Sequence, residues 1–167
     1  MSIANIVATL EKLEKMHKSL LEFANAKTEF IKQNDMEKLN EIIKNEQSHI
    51  AAINILEQQR QTMVTDYLRA KGIALTDSTS VADVIEAAKS TESTEALVDV
   101  RKRLVVLLEK LKMQNDLNQK MVFNSLQIIN LTLDSIRPQR QEQFNYSGAE
   151  VRGNAEVIKR SFNEFKA

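Results

Sequence analysis

Two stretches of this chain have the composition of a metal site. Glu14-Lys15-Met16-His17 and Glu46-Gln47-Ser48-His49 are both Glu-x-x-His, a spacing that sets a carboxylate and an imidazole on one helix face. Carboxylate-bridged di-iron bundles take one such motif from each of two helices, plus a Glu from each of two others. The rest of that set is missing here. Only three long helical stretches exist, and the last carries Glu109 alone in its middle. With 23 Asp and Glu in 167 residues, two chance matches are unremarkable, so no metal site and no cofactor is expected. No nucleophile is paired with a base and no Gly-rich loop could cradle a phosphate, so no catalytic residues are assigned and the chain reads as a non-enzyme. The absence of Cys excludes thiolate chemistry and disulfides. The 23 Lys and Arg only balance the acids, which argues against nucleic acid as a partner.

The elements behind these residues follow from the breakers. Gly72, Pro138, Gly148 and Gly153 are the only Gly or Pro positions, and the composition is that of a helical bundle. The organising stretch is residues 94–137, one helix ended by Pro138. Leu97, Val100, Leu104, Leu107 and Leu111, then Val122, Leu126, Ile129, Leu133 and Ile136, recur at steps of three and four, the seam of a bundle or coiled coil. Such a helix is about 66 Å long, against a radius of gyration of about 15 Å for a compact chain of this size. The expected fold is therefore all-α, an elongated antiparallel three-helix bundle, coiled-coil-like, with one very long C-terminal helix and a flexible tail.

Helix 1 is expected over residues 2–33, with Ile3, Leu10, His17, Ala24 and Ile31 at one heptad position and Ile6, Leu13 and Leu20 at the other. Asn34 is placed as the cap of the next helix, with Glu37 three residues on. Helix 2 covers 35–71, burying Leu39, Ile43, Ile50, Ile53, Val64 and Tyr67, with Gly72 as its C′ residue. The connector 73–93 holds a short helix from Val81 to Lys89, started by the capping box Ser80-Val81-Ala82-Asp83. Residues 1–137 form the bundle and 138–167 the flexible tail, in which Ile158, Phe162 and Phe165 share one helical stripe. No segment approaches 18 apolar residues and no basic, signal-like N-terminus is present, so a cytoplasmic protein without membrane insertion is expected.

Polar residues in the helices are read structurally. Arg60 and Glu57 are read as a surface ion pair, against an inward pair that fixes register. The cluster Gln114, Asn115, Asp116, Asn118, Gln119 and Lys120 interrupts the seam of the last helix and is read as a polar layer that sets register, against the entrance to a binding groove. Beyond it the apolar content exceeds what a single hairpin covers. Val122, Leu126, Ile129, Leu133 and Ile136 make one stripe, while Met121, Ile128 and Leu131 lie on a neighbouring face. This half of the helix is a candidate groove for a partner helix.

The run Leu111-Lys112-Met113-Gln114-Asn115-Asp116-Leu117-Asn118-Gln119, the apolar helix end, Pro138 and Phe144-Asn145-Tyr146-Ser147 together resemble the FlgN family of flagellar export chaperones, in its Gram-positive form. The stretch Lys44-Asn45-Glu46-Gln47 through Ile53 to Glu57-Gln58-Gln59-Arg60 is similar to the family's second helix. The resemblance implies a cytoplasmic type III secretion chaperone without ATPase activity. Its partners are then the C-terminal amphipathic segments of hook–filament junction proteins, held unpolymerised, and the cytoplasmic domain of the export gate. On this reading Met121, Val122, Leu126, Ile128, Ile129, Leu131, Leu133 and Ile136 hold the client. Phe144 and Tyr146 either fold back as a hydrophobic clip or dock on the gate. A homodimer is open as the client-free state, and the competing reading is a structural or adaptor coiled coil that self-associates through the same surface.

Overall fold

The computed structural model describes residues 2–137, which form four helices and no strand: α1 (Ile3–Gln33), α2 (Met36–Ala70), α3 (Val81–Ala88) and α4 (Glu95–Ile136). The chain falls into two units, Met1–Ile129 and Asn130–Ala167. The first holds α1 to α3 and most of α4. The described part of the second is the last turns of α4. The expectations placed on Phe144, Tyr146, Ile158, Phe162 and Phe165, and on a tail at 138–167, lie outside the described residues.

Local chemistry sets the helix ends. Asn34 does not cap α2 as its position suggests; it terminates α1 in the left-handed region at φ 55°. Asn tolerates that conformation better than other side chains, and no Gly is at hand. The cap of α2 passes to Asp35, whose carboxylate accepts from the Lys38 backbone N–H at 3.1 Å. The other end of α2 behaves as Gly72 predicts. With φ 72° at Gly72, the Gly72 N–H donates to the Arg69 carbonyl and the Ile73 N–H to that of Leu68, the pairing of a Schellman motif. At α3 the Asp83 carboxylate accepts from the backbone N–H and the hydroxyl of Ser80.

In the first unit α1 and α2 are antiparallel neighbours. Lys27 reaches Glu46 at 2.7 Å, the Phe23 ring meets His49 edge-on at 4.9 Å, and the Thr9 hydroxyl lies 3.5 Å from the Met63 sulfur. α4 runs parallel to α1, since Arg103 pairs with Glu14 and Gln114 with Thr28. The core gathers Ile3, Ile6, Leu10 and Leu13 of α1, Val64, Tyr67 and Leu68 of α2, and Leu97, Val100 and Leu104 of α4. One end of this core is closed by α3, which buries Val81, Val84 and Ala88. The Tyr67 hydroxyl fastens that end by donating to Glu92 at 2.9 Å, beside Lys71. Burial first, and then the Glu92 carboxylate, hold the Tyr67 phenol above its ordinary value.

At the opposite end, where α1 turns into α2, no described residue plays the part of α3. Here the heptad assignment needs correction. His17 and Ile31 are only half-buried, and Glu14 and Thr28 take their places inside. Ile43 is exposed and Leu39 and Ile50 are half-buried. A straight α-helix drifts about 20° per heptad relative to a strict seven-residue repeat. The buried positions Leu20, Ala24 and Thr28 accordingly step by four where the heptad would step from Ala24 by three to Lys27.

Candidate functional site

The two Glu-x-x-His motifs diverge. Glu14 is 7% exposed and faces α4, where Arg103 donates from Nε at 3.2 Å and from its terminal nitrogen at 3.0 Å, while Lys18 adds a contact at 3.1 Å. Glu46 faces α1 and pairs with Lys27. Both imidazoles turn back on their own helix, His17 Nδ1 to the Leu13 carbonyl at 2.7 Å and His49 Nδ1 to that of Asn45 at 3.0 Å. Among the described residues, no three acidic or imidazole side chains converge as metal ligands. Arg60 makes the same-helix pair with Glu57 that the sequence suggests, at 2.7 Å.

The Glu14–Arg103 pair is asymmetric, because the carboxylate is inside and the guanidinium is 46% exposed and shared with Asp99. Burial would raise the Glu14 value; the hydrogen bonds from Arg103 and Lys18 outweigh it, and the carboxyl lies below its usual range. A depressed folded-state value means that the stabilisation is present at neutral pH and is lost as pH falls through that value. Arg103→Leu leaves the buried Glu14 carboxylate with Lys18 as its one cation and should lower the melting temperature at pH 7, an effect that shrinks on acidification as the carboxyl protonates. Glu14→Leu replaces the carboxylate with apolar volume and should stay within about 1 kcal/mol of wild type. Equal melting losses for the two variants in urea or thermal scans would contradict this asymmetry.

The polar cluster of α4 is a layer against α1. The Gln114 amide donates to the Thr28 hydroxyl, which lies 2.5 Å from Asn118 Oδ1, and Asn118 Nδ2 donates to the Ala24 carbonyl at 2.8 Å. Thr28 and Asn118 are buried. These bonds make one register between α1 and α4 cheaper than its neighbours, since a slip would strand amides in the interior.

That register locates the candidate site. α1 stops at Gln33, five residues beyond Thr28. Parallel to it, α4 therefore loses its neighbour about five residues beyond Asn118, near Phe123. The seam itself does not stop. Val122, Leu126 and Ile129 in the first unit continue the line of Val100, Leu104, Leu107 and Leu111 at steps of three and four. They are 41%, 54% and 52% exposed, against 1% for Val100. In the second unit, Leu133 and Ile136 on the same helix are exposed as well. Of the remaining predicted residues, Ile128 and Leu131 are exposed and Met121 is half-buried. Sequence reasoning passed over Phe123, which is 60% exposed and the sole aromatic of α4. Its signal was available, an aromatic ring one residue off the seam. Met113 and Leu117, interleaved with the polar layer in sequence, are exposed too.

The face is charge-poor and apolar and lies open beyond a packed core, the kind of surface that marks a candidate site for a partner helix. A family model described as FlgN protein matches residues 1–151. The chain belongs to the FlgN family. These are flagellar export chaperones and not enzymes. The match runs through the whole of α4, so the exposed turns are part of the FlgN domain and not an appendage to it. This FlgN-family chain is also 28% identical over 147 residues to the uncharacterized protein YvyG of Bacillus subtilis (strain 168), an alignment covering 88% of each chain. No solved structure matches it. Among the described residues, no helix is long and apolar enough to cross a membrane.

Proposed function

We propose that this FlgN-family chain acts in the cytoplasm as the export chaperone of hook–filament junction proteins. It holds their C-terminal amphipathic helices on the second half of α4, keeps them from assembling early, and delivers them to the export gate. The observation that supports this reading is the open continuation of the α4 seam. A client helix whose apolar face is buried only in the finished filament is aggregation-prone while free, and an apolar helix face in the chaperone shields it. Val122, Leu126, Ile129, Leu133 and Ile136 form the centre of the contact. Ile128 and Leu131 lie around the helix from them, and Met121 sits at the margin next to the core. Phe144 and Tyr146 are the candidates for docking on the gate, the other reading being a hydrophobic clip.

Coexpression with the C-terminal segment of a hook–filament junction protein tests the reading. The expected result is a heterocomplex of defined stoichiometry on size exclusion, with any self-association of the free chain lost on binding. Recovery of a homo-oligomer alone, with the client segment excluded from it, would favour the adaptor coiled coil instead.

A further inference from the structure

The open face of α4 is unusual in what it lacks. Residues 121–133 contain no Asp, Glu, Lys or Arg, the longest charge-free run in a chain that is 28% charged. The next longest, residues 1–10 and 47–56, supply Ile3, Ile6, Leu10 and Ile53 to the core. The run on α4 is instead largely exposed from Val122 onward. Exposed helix surface ordinarily carries the charged residues of a soluble protein, so an uncharged exposed helix is a surface kept free of charge. By helical spacing, the positions flanking the stripe Val122, Leu126 and Ile129 are hydroxyl and amide side chains: Ser125 and Thr132 on one side, Gln119 and Asn130 on the other. In a helix pair those flanking positions usually hold ion pairs that choose partner and orientation.

We propose that this face receives a helix whose own apolar stripe is flanked by neutral amide and hydroxyl side chains, and that the docking is insensitive to salt. The proposal rests on the chaperone reading above and names the chemistry of the client. Two observations carry it. The stripe is continuous with the seam by which α4 packs on α1, so its complement is a helix. Beside Val122, Leu126 and Ile129 the flanks offer no counter-charge, so a Lys or Glu at the partner's flanking positions there would lose hydration against groups that cannot neutralise it, whereas an amide finds donors and acceptors in Gln119, Ser125 and Asn130. Charge-flanked helices, the commoner kind in a cell, are thereby rejected, which is specificity obtained from a penalty on the wrong partner. With no ion pairs to screen, affinity does not fall with ionic strength.

Two designed peptides of equal length and equal Leu/Ile stripe test this on the full chain, one flanked by Gln, Asn and Ser and the other by Glu and Lys at zero net charge. Fluorescence anisotropy is read at low and high sodium chloride, alongside a C-terminal segment of a hook–filament junction protein. The neutral-flanked peptide should bind at least about tenfold tighter than the charged one, and both it and the junction segment should change by less than about threefold with salt. Asn130→Lys should weaken the neutral peptide and introduce salt dependence for the Glu/Lys peptide. Equal affinity for the two peptides, or a junction segment that weakens tenfold in high salt, overturns the inference and leaves the chaperone reading standing. A junction segment that fails to bind at either salt concentration removes the chaperone reading itself. Sedimentation of the free chain assigns the other occupants: a dimer abolished by Leu126→Asp gives the face to a second copy, and peptide binding seen only after deletion of residues 138–167 gives it to the chain's own C-terminal segment. Either result overturns the proposal.

Discussion

Leu126→Asp should weaken binding of a junction-protein segment by about 100-fold or more, which is about 2.7 kcal/mol, while the free protein keeps its helical circular dichroism and its melting temperature. The free chain tolerates the change because Leu126 is 54% exposed. Asp in a helix interior costs only about 0.7 kcal/mol through propensity. In the complex the carboxylate would enter an apolar seam with no cation near it, since residues 121–133 carry no charge, and truncation or charge burial at the centre of an interface costs several kcal/mol. Ile129→Asp should behave alike. Gln127→Asp, which spacing places away from the stripe, should bind nearly as wild type. Leu107→Asp is the opposite control, because Leu107 is 8% exposed and the same substitution there should unfold the core. Calorimetric titration of each variant reads the result, and unchanged affinity in both Leu126→Asp and Ile129→Asp would move the client to another face.

The second large effect is expected at Ala24. This residue is fully buried, and Asn118 of α4 donates to its carbonyl oxygen at 2.8 Å. A side chain as short as Asn reaches another helix's backbone only where the two helices approach closely, and the methyl group of Ala permits that approach. Ala24→Leu forces the helices apart at a cost of about 1–3 kcal/mol. It also strands the Asn118 amide, for about 1–3 kcal/mol more. A combined loss near 4 kcal/mol lowers the melting temperature of a domain this size by roughly 8–16 °C. Asn25→Leu adds a leucine one residue away, where the side chain is exposed. That variant should shift the melting temperature by no more than about 2 °C, as is usual for surface changes. Melting curves that coincide for Ala24→Leu and wild type would show that the polar layer does not hold α4 against α1.

Much of the architecture is legible because it is local. Gly72 and Asp83 act on their own helix ends through bonds that span only a few residues. The length of α4 follows from the absence of Gly and Pro between Glu95 and Ile136. The sequence leaves the cap of α2 ambiguous by one residue, because Asn34 and Asp35 stand side by side and either side chain could cap it. Only one of them, Asn34, is suited to the left-handed conformation that ends α1.

What the sequence determined by itself is therefore the set of helices, their ends to within about a residue, and the single apolar line that runs the length of α4. Those depend on propensity, capping and period, all short-range. Two things were decided by the tertiary structure alone. One is which polar residues go inside. Glu14 and Thr28 go inside while His17 and Ile31 stay half-buried, because Arg103 and Asn118 on α4 satisfy them there. The other is where the seam of α4 ceases to be core. Val100 and Ile129 occupy the same face with the same spacing, and nothing in the period separates them. One is buried and the other open because α1 ends at Gln33, in a register held by the contacts of Thr28 with Gln114 and Asn118. Burial is a property of the partner's reach, and the chain around Ile129 carries no record of it.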